Sequence, residues 1–223
     1  MNQIVFRADE SCPMNYLVFC PDNQDDLPLL VYLHGAGERG QNWEHLYRHG
    51  IPKLIDEGSV YNAVVLCPQC PAESVWDNVV KELKQIIDSV AARYGISHDR
   101  ICITGSSMGG FGTWMMALSY PNFFAAAAPV AGGGMSWRGG NLRTTPVRAY
   151  HGNEDSIVPI VYSQLMVDAV NTSGGNAQLI SMEGLGHNDG IDEAYRNTEL
   201  ISWLLAQRRT SQEQIAETLS ELF

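Results

Sequence analysis

Short apolar runs alternate with longer segments of helical periodicity along most of the chain, and Gly, Pro, Asn or Asp residues separate them. Short apolar runs bounded by turn residues are typical of buried strands. The alternation favours an α/β protein with a mostly parallel central sheet of about eight strands and helices on both faces. The strands are predicted at Ile4–Arg7, Tyr16–Cys20, Leu29–Leu33, Ala63–Cys67, Arg100–Thr104, Ala125–Val130, Val147–Tyr150 and Gln178–Met182. The helices are predicted at Ile51–Glu57, Asn78–Tyr94, Met108–Tyr120, Ile160–Ser173 and Ile191–Gln207.

The fifth predicted strand leads into a turn that carries the most specific chemical signal in the chain. The turn reads Gly105-Ser106-Ser107-Met108-Gly109, and a helix is predicted directly after the serine. G-x-S-x-G between a strand and a helix is the pattern of a nucleophile elbow, in which a tight turn projects the serine hydroxyl above the sheet. Gly105 and Gly109 leave room where a side chain would collide with the strand or the helix. Ser107 is the candidate nucleophile, although the pattern alone also fits a glycine-rich connection without chemistry.

A serine nucleophile needs a histidine base and a carboxylate that orients the base, and in an elbow fold both follow the serine in the order acid, then histidine. The two histidines downstream of Ser107 are His151 and His187. His187 lies in a loop before a predicted helix, where catalytic residues are common, whereas His151 ends a strand and is expected to support the next turn through hydrogen bonds. Asp155, in the loop after that strand, is the preferred acid, with a helix-capping role as its alternative. The rival acids are Glu154, Asp189 and Asp192.

Two backbone amides are needed to stabilise the negative charge that develops on the attacked carbonyl oxygen. Met108 follows the nucleophile at a helix N-terminus, where free N–H groups and the helix dipole favour an anion. The second amide is expected from the glycine-rich loop after the strand Leu29–Leu33, with Ala36 preferred and Gly37 next. His34, which begins that loop, is interpreted as a buried structural histidine rather than as a base.

Together, these segments resemble the α/β-hydrolase superfamily. Within it they are similar to the small esterase branch of phospholipase/carboxylesterase and dienelactone-hydrolase-like proteins, which includes feruloyl-esterase-like members. The resemblance implies that Ser107 is the nucleophile, His187 the base and Asp155 the acid. It likewise implies that Ala36 and Met108 supply the oxyanion amides. Dienelactone hydrolases have a cysteine nucleophile, so a serine favours the esterase side. The matching stretches are Leu33–Gly40, Cys67–Pro71, Asp99–Trp114, Tyr120–Phe124, His151–Pro159 and Gly186–His187.

Larger relatives carry a helical cap that is most often inserted after the sixth strand, and this chain has only the short segment Ala131–Thr145 there. The resemblance therefore implies an α/β-hydrolase fold without a large cap domain, with the first two strands as an antiparallel hairpin at the sheet edge. An open cleft is expected, and its walls are predicted at Glu38–Trp43, Gln69–Trp76 and Met135–Arg138. Trp76 and Trp137 could offer flat apolar surfaces to an acyl group, although ordinary packing is the alternative for both. The cleft candidates as a set are Gly37, Gln69, Trp76 and Trp137.

No composition shift, repeat or low-complexity tract divides the chain, so residues 1–209 are expected to form a single α/β-hydrolase domain. Residues 210–223 extend beyond the part that resembles the family. Within them, Ile215, Leu219 and Leu222 recur at helical spacing, which predicts a C-terminal helical extension. This helix either packs on its own domain or forms a contact between two copies of the chain, which leaves a homodimer open.

The formal net charge is -11 at pH 7. Nucleic acids and anionic membranes are negatively charged, so neither is expected as a partner. No apolar stretch is long enough to cross a bilayer, and residues 1–10 lack the pattern of a secretory signal, which predicts a cytoplasmic protein. The five cysteines fit reduced thiols. Cys67 and Cys70 have C-x-x-C spacing without a second pair or a nearby histidine cluster, so neither a metal nor a cofactor is expected.

The sequence thus predicts a serine carboxylesterase that hydrolyses small or aryl carboxylic esters through an acyl-enzyme intermediate, with a small-molecule ester as its partner. The same triad can cleave amides, so a peptidase or amidase of the prolyl-oligopeptidase-like type is the first alternative. A non-catalytic binding protein of hydrolase fold is the second, and such a protein would be expected to lack a member of the triad. The sequence does not distinguish acetyl, feruloyl and longer acyl groups.

Overall fold

The computed structural model describes residues 1–8, 14–22 and 26–209 of the chain. Its strands are β1 Asn2–Phe6, β2 Tyr16–Cys20, β3 Leu29–Leu33, β4 Val64–Pro68, β5 Ile101–Ser106, β6 Ala126–Val130, β7 Val147–Gly152 and β8 Ala177–Met182. Its α-helices are α1 Gly50–Asp56, α2 Val80–Arg93, α3 Met108–Ser119, α4 Val161–Thr172, α5 His187–Arg196 and α6 Leu200–Leu205. The strands form one eight-stranded sheet with the order β1-β2-β4-β3-β5-β6-β7-β8.

The sheet is parallel except at one edge. β1 pairs with β2, and β2 with β4, in antiparallel directions, and every other pair is parallel. The predicted mostly parallel sheet and its antiparallel edge hairpin are therefore confirmed. The register places Leu33, the last residue of β3, beside Gly105 of β5. Because parallel strands end at the same edge of a sheet, the loop after β3 and the turn after β5 leave the sheet side by side.

Apolar side chains cover both faces of the sheet. In β3, Leu29, Val31 and Leu33 pack into one core, and Leu30 and Tyr32 pack into the other. Helices α2, α3 and α4 cover the first core, and α1, α5 and α6 cover the second. A slip of one residue in β3 would exchange the two sets of side chains between the cores, so burial on both faces fixes the register from which the loops start.

The last predicted helix, Ile191–Gln207, is wrong in its start and in its continuity. α5 begins earlier, at His187, and the chain leaves the helix before α6 begins at Leu200. The Thr198 hydroxyl donates to the Ala194 carbonyl (2.6 Å) and accepts from the Leu200 amide (3.2 Å). Such local side-chain hydrogen bonds compete with the helical backbone pattern. Two helices therefore stand where the periodicity predicts one.

The structure describes every residue of the connection between β6 and β7. This connection contains a 3₁₀ turn at Ser136–Leu142 and no α-helix. The expectation that no large cap domain follows the sixth strand is confirmed. Of the helices in the described part of the chain, none has both the length and the apolar character needed to cross a bilayer. The predicted C-terminal extension, residues 210–223, lies outside the described residues.

Candidate active site

Ser107 lies in the turn between β5 and α3 with a backbone conformation that residues other than glycine rarely adopt. Its φ and ψ angles are 55° and −117°. The Ser107 amide donates to the Val130 carbonyl (2.9 Å), and the Ser107 carbonyl accepts from the Phe111 amide (3.1 Å). Such a conformation costs roughly 1–3 kcal/mol and persists where the surroundings fix it. This is the tight strand-to-helix turn that the G-x-S-x-G pattern predicts.

Gly105 and Gly109 flank the turn because the neighbouring backbone leaves no space for a side chain. A Cβ added to Gly109 would lie 1.9 Å from the carbonyl oxygen of Leu33. A Cβ added to Gly105 would lie 2.5 Å from the Gly109 oxygen and 2.6 Å from the Leu33 oxygen. The close approach of α3 to β3 therefore requires glycine at both positions, and it brings Ser107 against the loop that follows β3.

His187, the first residue of α5, lies between Ser107 and Asp155. Its Nε2 is 3.0 Å from the Ser107 Oγ, and its Nδ1 is 2.6 Å from the Asp155 Oδ2. When the Nδ1 proton is donated to the carboxylate, Nε2 is left free to accept the serine proton. The structure thus brings a hydroxyl, an imidazole and a carboxylate into the relative positions that general-base activation of a serine requires.

Asp155 is held by backbone amides as well as by the histidine. Its side chain is buried, and its Oδ1 accepts hydrogen bonds from the amides of Ile157 (2.9 Å) and Val158 (2.8 Å). Burial by itself would raise the pKa of Asp155, but the hydrogen bonds from His187, Val158 and Ile157 outweigh it and hold that pKa below its usual value. The carboxyl group is therefore charged where it faces the imidazole.

The other residues weighed from the sequence have different positions. The Nδ1–H of His187 donates its hydrogen bond to Asp155, so it does not donate to Glu154, Asp189 or Asp192. His151 is fully buried, and burial lowers its pKa, which favours the neutral ring. Its Nε2 donates to the Val158 carbonyl (2.7 Å), and its Nδ1 lies within hydrogen-bond distance of the Ser163 hydroxyl oxygen (2.8 Å). His151 thus supports the turn that carries Asp155, as the sequence predicts.

The loop after β3 and the beginning of α3 place backbone amides next to Ser107. Gly35 packs against the serine, since a Cβ added to Gly35 would lie 3.7 Å from the Ser107 Cβ. Ala36 and Gly37 follow, and they line a cavity of about 260 Å³ together with the serine. Met108 is the first residue of α3, where an amide has no partner within the helix. Ala36 therefore borders the serine's cavity, and Met108 directly follows the serine.

His34 fixes the loop that carries Ala36. Its Nδ1 donates to the Gly35 carbonyl (2.5 Å), and its Nε2 accepts from the Cys70 amide (2.9 Å). The residue is 1% exposed, and this burial lowers its pKa to about 4, so the ring is neutral near pH 7. A neutral imidazole has one donor and one acceptor, which is what the two contacts require. His34 is the buried structural histidine that the sequence predicts.

Two residues expected to wall the cleft are instead buried supports of the loops. Gln69 is 1% exposed, and its Nε2 donates to the carbonyls of Glu38 and Asn42, both at 2.8 Å. The prediction of Gln69 as a cleft residue is wrong, because loop carbonyls rather than a ligand use its amide. Trp76 is equally buried, and its Nε1 donates to the His34 carbonyl (3.0 Å). Trp76 also lines a second cavity.

This second cavity, of about 340 Å³, has a mainly apolar lining formed by Val75, Trp76, Asp77, Met108 and Phe111. The cavity beside Ser107 differs, because it also contains the polar side chains of Glu38, His49 and Asn188. Met108 lines the apolar cavity and its neighbour Ser107 lines the polar one, so both cavities border the beginning of α3.

Three positions show what sequence reasoning finds and misses here. Phe111 could have been found, since it lies in the first turn of the helix that begins directly after Ser107. Glu38 belongs to the predicted cleft wall Glu38–Trp43, but its burial gives no signal in the sequence, because an acidic residue in a polar loop is ordinarily solvated. Trp137 is 81% exposed and is not among the residues that line either cavity. The structure therefore does not bring Trp137 to the serine.

Comparison with known proteins places the chain among hydrolases. Residues 62–197, more than half of the chain, match the model of the phospholipase/carboxylesterase family. The chain is 30% identical to a thermostable esterase of known structure, with a TM-score of 0.76, over 93% of this chain and 63% of that one.

Two curated relatives match over shorter segments. Poly(3-hydroxyalkanoate) depolymerase C of Paucimonas lemoignei is 47% identical over 51 residues, or 23% of this chain and 12% of the relative. A bifunctional acetylxylan esterase/xylanase of Neocallimastix patriciarum is 27% identical over 158 residues, or 69% of this chain and 23% of the relative. The chain thus spans less than a quarter of the length of either curated relative.

The sheet order, the antiparallel edge hairpin and the elbow between β5 and α3 agree with these matches. The family match contains Ser107, Asp155 and His187, and it begins after the loop that carries Ala36. The chain therefore has the α/β-hydrolase fold and belongs to the phospholipase/carboxylesterase family.

Proposed function

We propose that the protein is a serine carboxylesterase that hydrolyses small or aryl carboxylic esters through an acyl-enzyme intermediate. The observation that carries the proposal is the position of His187, 3.0 Å from the Ser107 Oγ through Nε2 and 2.6 Å from the Asp155 Oδ2 through Nδ1. A histidine in this position accepts the serine proton, and the charged carboxylate stabilises the imidazolium that results.

In the first half of the reaction, Nε2 of His187 removes the proton from Ser107 as the Oγ attacks the ester carbonyl carbon. The carbonyl oxygen becomes negatively charged, and the amides of Ala36 and Met108 stabilise it. When the tetrahedral intermediate collapses, the imidazolium gives its proton to the leaving alcohol oxygen. The acyl group remains on Ser107 as an ester.

In the second half, a water molecule takes the place of the alcohol. His187 removes a proton from this water as it attacks the acyl carbon, and the same two amides stabilise the second oxyanion. The proton then returns to the Ser107 oxygen, and the carboxylic acid is released. The short connection between β6 and β7 leaves the site open to water, which suits hydrolysis of soluble esters.

The relatives support ester hydrolysis over the alternatives. The names of the solved relative and of one curated relative contain the word esterase, and the family is that of phospholipases and carboxylesterases. The substrates of these relatives do not define the acyl and alcohol groups that this chain accepts. Peptidase activity remains the competing enzymatic function, because the same triad attacks amides.

Fluorophosphonate labelling combined with a substrate panel tests the proposal. The panel consists of acetyl, butyryl, octanoyl and feruloyl esters and one peptide. We expect ester hydrolysis by the wild type, covalent labelling of the wild type and of Ser106→Ala, and neither hydrolysis nor labelling with Ser107→Ala. Ser106 is the matched control because it is the adjacent serine, buried and bonded to the Tyr32 hydroxyl (3.2 Å). Labelling that persists in Ser107→Ala would place the nucleophile elsewhere, and cleavage of the peptide alone would favour the peptidase.

We further propose that residues 1–209 act as one domain and that residues 210–223 form an extension that contributes to a homodimer. The apolar spacing of Ile215, Leu219 and Leu222 supports the second part. The molar mass in solution, measured by light scattering on the full chain and on a chain ending at Arg209, tests it. A monomer in both cases would leave the extension without this role.

A further inference from the structure

Glu38 is a buried carboxyl group that the proposed reaction does not use. It ends the 3₁₀ turn Ala36–Glu38, is 3% exposed and lines the same cavity as Ser107 and His187. A Cβ added to Gly35 would lie 3.4 Å from the Glu38 Oε2 and 3.7 Å from the Ser107 Cβ. The carboxyl group and the serine therefore approach the same side of Gly35, where a side chain is absent.

In the described part of the chain, the hydrogen-bonding support of the Glu38 carboxylate comes from the residue's own backbone amide. The Nδ1 of His34 lies 3.8 Å from the carboxylate, which is beyond hydrogen-bond distance, and the His34 ring is neutral near pH 7. That nitrogen already donates to the Gly35 carbonyl. Gln69 donates to the backbone carbonyl of Glu38 and not to its side chain. A carboxylate has lone pairs for more hydrogen bonds than the one from this amide, so a buried carboxylate beside a cavity is suited to a second donor that arrives with a ligand.

The surroundings of Glu38 agree with such a role. Burial raises the pKa of Glu38, while the positive charges available on His49, Arg48 and His45 act in the opposite direction. His49 also lines the cavity. A substrate that enters the cavity displaces water from the carboxyl group, so a substrate without a donor leaves this acceptor unsatisfied, and a substrate with a donor does not.

The chemistry of the triad indicates which half of an ester enters this cavity. The leaving alcohol oxygen must come within reach of His187 Nε2, because that nitrogen protonates it. His187 and Asn188 line the cavity that contains Glu38, whereas the apolar cavity is lined by Met108 and Phe111. The alcohol half therefore belongs in the polar cavity and the acyl half in the apolar one.

We propose that Glu38 is a specificity-determining residue that accepts a hydrogen bond from a second hydroxyl group on the leaving alcohol. This inference rests on the proposed esterase function. The preferred substrates are monoesters of diols or polyols in which a free hydroxyl lies close to the ester oxygen, because Glu38 and the reacting serine approach the same side of Gly35. An ester of a simple alkanol places a methyl or methylene group against the carboxylate instead.

Two esters of one acid test the proposal on the wild type. In propyl butyrate a methyl group takes the place of the terminal hydroxyl of 2-hydroxyethyl butyrate. A hydrogen bond to a charged acceptor discriminates by about 10-fold to 100-fold, and we expect kcat/KM to favour the hydroxyethyl ester by this factor. Butyrylcholine is the third substrate, because an acidic site could instead select a cation. A wild-type ratio near one, or a stronger preference for butyrylcholine, would overturn the proposal.

Variants at position 38 assign the discrimination to its source. Glu38→Met removes the acceptor at similar length, and Glu38→Gln keeps a weaker, neutral acceptor. The ratio of hydroxyethyl to propyl hydrolysis is expected to be highest in the wild type, intermediate in Glu38→Gln and near one in Glu38→Met. Glu44→Met is the matched control, because Glu44 is an exposed carboxylate in the same loop region, and it should keep the wild-type ratio.

The readout separates recognition from structural support. If Glu38 only stabilises the loop, Glu38→Met lowers kcat/KM for both esters by the same factor and the ratio stays at its wild-type value, which contradicts the proposal. The wild-type ratio needs no variant, so poor folding of Glu38→Met leaves that test in place. Hydrolysis of propyl butyrate that depends on Ser107 would uphold the proposed esterase function even where the Glu38 proposal fails. The lack of hydrolysis of any ester would refute both.

Discussion

One oxygen of Asp155 accepts a hydrogen bond from Nδ1 of His187 at 2.6 Å, while its other oxygen accepts hydrogen bonds from two backbone amides. The carboxylate thus cannot turn away from the imidazole without losing those amides. We expect Asp155→Asn to lower kcat by about 10⁴-fold with a small change in KM, because an amide facing Nδ1 favours the wrong tautomer. Asp189→Asn, on α5 itself, is the control. Steady-state kinetics with one aryl ester decides, and a larger loss in Asp189→Asn would show that the acid is misassigned.

Gly109→Ala should prevent the elbow from forming. A Cβ at this position would lie 1.9 Å from the Leu33 carbonyl oxygen, and α3 cannot move away without displacing the serine. We expect a loss of about 3 kcal/mol or more in the free energy of unfolding, measured with urea. Gly37→Ala is the matched control, because a Cβ there meets nothing within 4 Å. Equal stability of the two variants would mean that the close approach at Gly109 is not required.

The buried His34 makes stability depend on pH. Burial lowers its pKa from 6.5 to about 4, so the unfolded chain binds a proton more readily than the folded one. The contribution to stability is complete above pH 6.5 and is lost as the pH falls towards 4, by up to about 3 kcal/mol. Urea unfolding between pH 7 and 4 should give a smaller pH dependence for His34→Gln than for the wild type. An identical slope in both proteins would exclude His34 as the cause.

Catalysis should show no jump in rate at a lipid–water interface. Interfacial activation needs an apolar lid that opens on the lipid, and the connection between β6 and β7 contains only the 3₁₀ turn Ser136–Leu142. The rate with p-nitrophenyl butyrate and with tributyrin should therefore rise smoothly through the solubility limit of each substrate. A sharp increase with emulsified tributyrin would indicate a lipase.

Local sequence patterns predict the turn between β5 and α3 most accurately. Gly105 and Gly109 are required by contacts with the nearest strand, so their spacing reports the turn directly. The positions of Gln69 and Trp76 depend instead on carbonyl groups far along the chain, at Glu38, Asn42 and His34, which no local pattern reveals.

The apolar spacing of the sequence does not reveal the helix break at Thr198, because this spacing continues across the break. The side-chain hydrogen bonds of Thr198 that end α5 do not change the spacing. The choice of Asp155 over Asp189 and Asp192 followed from chain order. The two amides that hold Asp155 became visible only in three dimensions.

The neighbouring positions of Leu33 and Gly105 in the sheet tie function to its central strands. The loop that carries Ala36 and the turn that carries Ser107 leave adjacent strands, so sliding of β3 along β5 would separate the proposed nucleophile from a proposed oxyanion amide. β1, in contrast, pairs with β2 alone, at the far edge, and half or more of its residues face solvent. Local opening of β1, monitored by amide hydrogen exchange, should leave the turnover rate unchanged. With the proposed site, the catalytic rate should therefore depend on the order of the central strands and not on local unfolding of the edge strand.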